Sequence, residues 1–206
     1  MKQSLSKDVY DVLLERLLKN ELVPGEILNR RAVAEELGTS VAPVLEAMLQ
    51  LESEGFLESI PRKGTIVRPI RARDVRGHLI VREALECQAV RMYCGEPVVR
   101  HESELMELAL RIDNASNSRD RMSQDIAFHK KLIALTKCEI LVEEYDRIMK
   151  IRVFHTMNRF LSEDDKRVQL SHVELLGDLE EADPDRAEHV MREHVRSGKL
   201  HFVEEQ

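Results

Sequence analysis

The chain has 206 residues, 43% of them apolar and 33% charged, with no tryptophan and 4% aromatics; this composition suits one medium or two small mainly helical domains rather than an extensive sheet. No run approaches the roughly 18 apolar residues that span a bilayer and the first residues lack a signal-peptide core, so the reading is a cytoplasmic protein with no membrane partner. A formal charge of −7 excludes coating of nucleic acid by bulk electrostatics, and any DNA contact must come from a local basic surface.

Val9, Val12, Leu13, Leu17 and Leu18 recur at helical spacing behind Ser4 and Ser6, either of which can cap, and predict a helix over 6–20. Pro24-Gly25 ends it in a turn. Asn29 can cap a short second helix that carries Val33, Ala34 and Leu37, with Gly38 as its stop. Thr39-Ser40 opens a third over 41–54, whose Val44, Met48 and Leu51 turn inward. Gly55 ends that helix. Alternation over 56–60, a turn at Pro61-Arg62-Lys63-Gly64 and β-branched residues over 65–68 predict a hairpin. Three helices and a hairpin in this order describe a winged helix-turn-helix over residues 1–70.

The second helix of a helix-turn-helix enters the major groove, while flanking elements hold phosphates. Here that helix is 41–54, with Val41, Ala42 and Leu45 turned away from the core and toward bases. Thr39 and Ser40 stand at its start, where an anion is favoured. Arg30, Arg31, Arg62 and Lys63 can clamp the DNA backbone or, from the wing, enter the minor groove. Arg68, Arg71, Arg73 and Arg76 prolong the basic run against the single acid Asp74, a stretch that reads equally as a solvated linker.

Beyond Pro69 strand signals vanish, and the spacing predicts an all-helical antiparallel bundle over 74–206, of about six helices near 74–94, 98–115, 119–136, 138–160, 163–182 and 184–203. Its cysteines, Cys87, Cys94 and Cys138, form no CxxC pair and read as reduced thiols. Asp125 and His129 lie four apart on one stripe with Met122, Ile126, Leu132 and Ile133. His172 shares a stripe with Val168, Leu175, Leu176 and Leu179, and His194 one with Ala187, Val190 and Met191. Each imidazole alone reads as a hydrogen-bonded core residue. Together with the carboxylate they suit a divalent metal ion, zinc first and nickel or manganese as alternatives, because one ion satisfies all four buried polar groups.

Four protein ligands leave positions on an octahedral ion for a small organic acid. His155, on a stripe with Ile148 and Ile151, either lines that pocket as an effector contact or merely packs. A metal-dependent hydrolase or isomerase would use the same ligands with water in the open position. It would also need a base, yet no second inward carboxylate is evident and no HExxH, GxSxG, P-loop or GxGxxG occurs, so the chain reads as no enzyme. A winged-helix interaction module without an effector is the third reading.

Two blocks of residues carry a family resemblance. Leu22-Val23-Pro24-Gly25-Glu26-Ile27-Leu28, Val33-Ala34-Glu35-Glu36-Leu37-Gly38-Thr39-Ser40, Pro43-Val44, Glu46-Ala47 and Leu51-Glu52-Ser53-Glu54-Gly55-Phe56 with Gly64-Thr65 resemble the N-terminal domain of the GntR transcription regulators. Val41 and Leu45 stand where members commonly carry arginine, so guanine reading by an arginine fork gives way to contacts with thymine methyls, to Arg31 or to DNA shape. Asp125-Ile126-Ala127-Phe128-His129, Ser171-His172 with Leu175-Leu176, and Met191-Arg192-Glu193-His194-Val195 resemble the FCD effector domain of the FadR branch, and six helices suggest its shorter, VanR-like type. The resemblance implies Asp125, His129, His172 and His194 as metal ligands. It also implies Arg82, within Val81-Arg82-Glu83-Ala84-Leu85-Glu86, as the partner of an effector carboxylate; an ion pair with Glu86 is the alternative. The expectation is a repressor of operator DNA, relieved by a small organic acid, and a homodimer matched to a palindromic site.

Overall fold

A computed structural model of the chain describes residues 4–159 and 171–197. They divide into two compact units: one runs through Arg71 and takes in the end of the eighth helix from Lys150, and the other runs from Ala72 to Met149 and holds the later helices.

The first unit begins with α1 (Leu5–Leu18), capped by Ser4, whose side chain accepts from the backbone of Lys7. There follow β1 (Ile27–Leu28), α2 (Arg30–Glu36), α3 (Val41–Ser53), β2 (Leu57–Ile60) and β3 (Gly64–Val67). Asn29 caps α2 by accepting from Arg31 and Ala32. The strands form one antiparallel sheet in the order β1-β3-β2, with Ile27 opposite Ile66 and Ser59 opposite Thr65. Strand β1 is absent from the sequence expectation, because two residues are too short for an alternation to register. Its place is fixed from outside, by Gly25 donating to Val67 and Val67 donating to Glu26, both at 2.9 Å.

Leu13, Leu17, Val44, Leu51, Phe56 and Val67 make the core of this unit, joined by Ile151 and Phe154 from the end of the eighth helix. Phe56 and Phe154 meet edge to face with ring centroids 5.6 Å apart. Gly55 is required beside them, since it has φ +91 and a Cβ there would stand 3.4 Å from Arg68 and 3.7 Å from Ile151. The periphery is tied by Tyr10 donating to Glu54 at 2.6 Å and by the Arg16–Glu36 ion pair between α1 and α2.

The second unit contains α4 (Ala72–Tyr93), α5 (Glu96–Val99), α6 (Glu102–Asp113), α7 (Ser118–Ala134), the first half of α8 (Glu139–Arg159), α9 (His172–Glu181) and α10 (Pro184–Ser197). Among the described residues this is seven helices where the sequence predicts about six. The expected 98–115 segment is interrupted at His101, so that the single turn α5 separates from α6. The predicted 163–182 helix is described only as α9, capped by Ser171, which accepts from Val173 and Glu174. Val168 and residues 198–203 lie outside the described residues. α10 packs on α4 and α9, α6 on α7 and α9, and α7 on α4. Tyr93, Leu105, Phe128, Leu132, Tyr145, Leu176 and Met191 fill the space between them.

Candidate nucleic-acid interface and metal centre

The third helix presents Val41 and Ala42 to solvent with Leu45 half-buried, while Val44, Met48 and Leu51 on its other face are buried. Ser40 is the N-cap of α3, yet its hydroxyl makes no cap bond; with Thr39 half-buried beside it, the start of this helix keeps donors to offer an anion. Arg31, Arg62 and Lys63 are exposed. Arg30 is half-buried and donates to Thr65 at 3.3 Å, which holds it against the sheet. Arg62 sits at the tip of the hairpin with φ +67, a left-handed backbone that costs a non-glycine residue about 1 kcal/mol or more.

In the helical unit, one cluster gathers side chains from three helices. Asp125 and His129 come from successive turns of α7, His172 is the first residue of α9, and His194 lies in the last turn of α10. All four are buried, and each offers a ligand atom within 4.8 Å of the others. Asp125 Oδ1 stands 3.2 Å from His172 Nε2 and 3.5 Å from His129 Nε2. The rings of His172 and His194 are 4.6 Å apart, and Phe128 meets the His172 ring edge-on at 5.3 Å.

Two charged side chains from α4 complete the cluster. Arg82 is 2% exposed and Glu86 1%. The Arg82 guanidinium binds Glu86 through Nε and lies 3.4 Å from Asp125 Oδ2 through Nη2. Glu86 Oε2 stands 2.6 Å from His129 Nδ1. The expectation that no second carboxylate points inward is therefore corrected: Glu86 lies four residues after Arg82 on the same face and is carried into the core by it. Arg82 is engaged by two carboxylates, the ion-pair alternative extended by Asp125, so an incoming carboxylate would share it rather than find it open. His155 is not part of this group; it is buried in the stretch of α8 that belongs to the first unit.

The electrostatics follow from burial and neighbours. Burial alone would raise the Asp125 carboxyl, but Arg82 and His129 outweigh it and hold the group well below the usual carboxylate range. Burial works against a charged His129 as well, and there Glu86 and Asp125 prevail and raise it. Burial, reinforced by His129 and His172, pushes His194 down to about 2. His194 is thus neutral, and its buried Nδ1 has no hydrogen-bond partner among the described residues. A neutral imidazole with an orphaned nitrogen, beside an ionised carboxylate and two further imidazoles, is a donor set that a divalent ion fits.

Comparison with known proteins places both halves. Residues 5–67 match the gntR family of bacterial regulatory proteins, and residues 79–197 match the FCD domain. The transcriptional repressor RspR of Escherichia coli is 23% identical over 202 residues, covering 94% of this chain and 87% of that protein. Among solved structures, E. coli McbR/YncC is 23% identical with a TM-score of 0.71, covering 98% of both chains. A GntR regulator from Rhodococcus sp. RHA1 is 18% identical with a TM-score of 0.76 and the same coverage. These two likenesses are of fold. The matched domains are those of transcription regulators and not of enzymes.

Proposed function

The chain belongs to the gntR family of bacterial regulatory proteins, with an FCD domain behind its winged helix, and from that premise we propose a repressor whose operator affinity is set by a small carboxylate bound at a divalent metal ion in the helical unit. The observation that carries this reading is the convergence of Asp125, His129, His172 and His194, buried and within ligand distance of one another. Zinc is the first choice for three imidazoles and one carboxylate, with nickel or manganese as alternatives. The ion would supply a fixed positive charge with open positions that bind a carboxylate directly. Arg82, already held by Glu86 and Asp125, adds positive charge to the same surroundings.

In the first unit, Val41, Ala42 and Leu45 would contact bases, Thr39 and Ser40 a phosphate, and Arg30, Arg31, Arg62 and Lys63 the DNA backbone or minor groove. We place the protein in the cytoplasm, and no described helix is long and apolar enough to cross a membrane. It would act as a homodimer, since two-fold operators are read by two-fold proteins. Exposed Ile80, Val81 and Met92 on α4 support an apolar pairing face in the helical half.

The test is selection of duplexes from a random DNA pool by the full chain, followed by titration of the winning duplex with and without zinc and a panel of small carboxylates. The expected result is a palindromic duplex whose affinity changes when metal and one carboxylate are present together. Failure to enrich any duplex, or an affinity indifferent to both additions, would contradict the reading. With that duplex in hand, Lys63→Ala is expected to weaken binding at all sequences alike. It should also reduce the slope of log affinity against log salt by about 1, the signature of one lost phosphate contact.

A further inference from the structure

Asp113, the last residue of α6, spends both carboxylate oxygens on the first turn of α9. Its Oδ2 accepts the Ser171 hydroxyl at 2.6 Å and the Val173 amide at 3.5 Å, and its Oδ1 accepts the His172 amide at 3.2 Å. The same Oδ1 lies 3.3 Å from the imidazole Nδ1 of His172. Capping alone does not call for Asp113, because the Ser171 hydroxyl already accepts from the amides of Val173 and Glu174. What Asp113 adds is a contact behind the imidazole, on the side away from Asp125.

We propose that Asp113 is a positioning residue of the metal centre: by accepting from Nδ1–H of His172 it fixes the tautomer that leaves the Nε2 lone pair facing the ion. The inference rests on the metal reading above. A neutral imidazole carries one N–H and one lone pair. An ionised carboxylate can only accept, so it holds the proton at Nδ1 and frees Nε2, which in this structure lies 3.2 Å from Asp125 Oδ1. Such carboxylate-imidazole pairs orient metal ligands and raise their basicity. Phe128, edge-on to the ring at 5.3 Å, limits its other rotation.

The arrangement repeats at His129, where Glu86 Oε2 is 2.6 Å from Nδ1 while Nε2 is 3.5 Å from Asp125 Oδ1. Two imidazoles are thus buttressed from behind by carboxylates on different helices, α6 and α4. The third, His194, has no such support at its buried Nδ1. The site is therefore built as two preset nitrogens and one oxygen, joined by an imidazole that an ion must recruit.

The experiment measures zinc affinity of the full chain by competition with a chromophoric chelator, for wild type, Asp113→Ala and Ser171→Ala. Heteronuclear NMR of the imidazole nitrogens in the zinc-loaded proteins accompanies it. Asp113→Ala is expected to weaken zinc about 10–100-fold and to give His172 a mixed tautomer signature, against a single Nδ1–H species in wild type. Ser171→Ala removes the helix cap but keeps the carboxylate, so it is expected to retain wild-type affinity and tautomer. Equal weakening in both variants would assign the loss to the cap and overturn the proposal, as would wild-type affinity in Asp113→Ala. A wild type that takes up no zinc would instead defeat the metal reading, and this proposal with it, before any variant is compared.

Discussion

Arg82→Met is expected to destabilise the metal-free helical unit by about 3–5 kcal/mol, the cost of leaving buried carboxylates without their cation. The magnitude follows from placement. The Arg82 side chain is 3% exposed, and it binds Glu86 while lying 3.4 Å from Asp125. Removing it leaves two acids and the raised His129 to balance one another in a medium that solvates charge poorly. Arg91, whose partners Asp185 and Glu188 lie 2.7 and 2.8 Å away at the surface, provides the contrast: Arg91→Ala should cost no more than about 1 kcal/mol. Urea unfolding of the metal-free proteins checks both. Zinc should reduce the Arg82→Met deficit, because a cation on Asp125 replaces part of the missing charge. A deficit as small as that of Arg91→Ala would show that Arg82 is not the counter-ion of this core.

The second large effect separates stability from binding at one residue. His194 is buried and neutral, and its Nδ1 makes no hydrogen bond among the described residues. A buried polar atom left unpaired costs about 1–3 kcal/mol, so His194→Leu is expected to leave the metal-free protein as stable as wild type or more so. The same variant should lose the stabilisation by metal. For wild type, zinc at a thousand times its dissociation constant contributes about 4 kcal/mol, a rise in Tm on the order of 10 °C for a domain of this size. Thermal melts with and without zinc read both quantities. If His194→Leu were strongly destabilised without metal, the residue would be a core packing element first; if it kept the full zinc shift, it would not be a ligand.

What the sequence made legible follows from the range of the forces involved. Asn29 and Ser40 could be placed at helix starts because capping is decided within three residues. Asp125, His129, His172 and His194 could be placed together because helical periodicity puts each on an apolar stripe, and apolar stripes meet in the core. Glu86 was legible only as a partner for Arg82, since nothing local says that an i,i+4 ion pair will be buried rather than solvated. Asp113 left no signal: it contacts α9 across 58 to 60 residues of sequence. Strand β1 and the single turn α5 escaped for the opposite reason, being too short to show a period and held by partners elsewhere in the chain. With α5 counted, the helix number no longer argues for the shorter VanR-like type.

The most direct test of the metal-centred account is elemental analysis of the untagged full chain after exposure to zinc, nickel and manganese, with His172→Ala prepared in parallel. The expected result is about one divalent ion per wild-type chain, and none retained by His172→Ala. A wild type that emerges free of all three metals would contradict the account, and the four buried side chains would then be a hydrogen-bonded core arranged around Arg82 and Glu86.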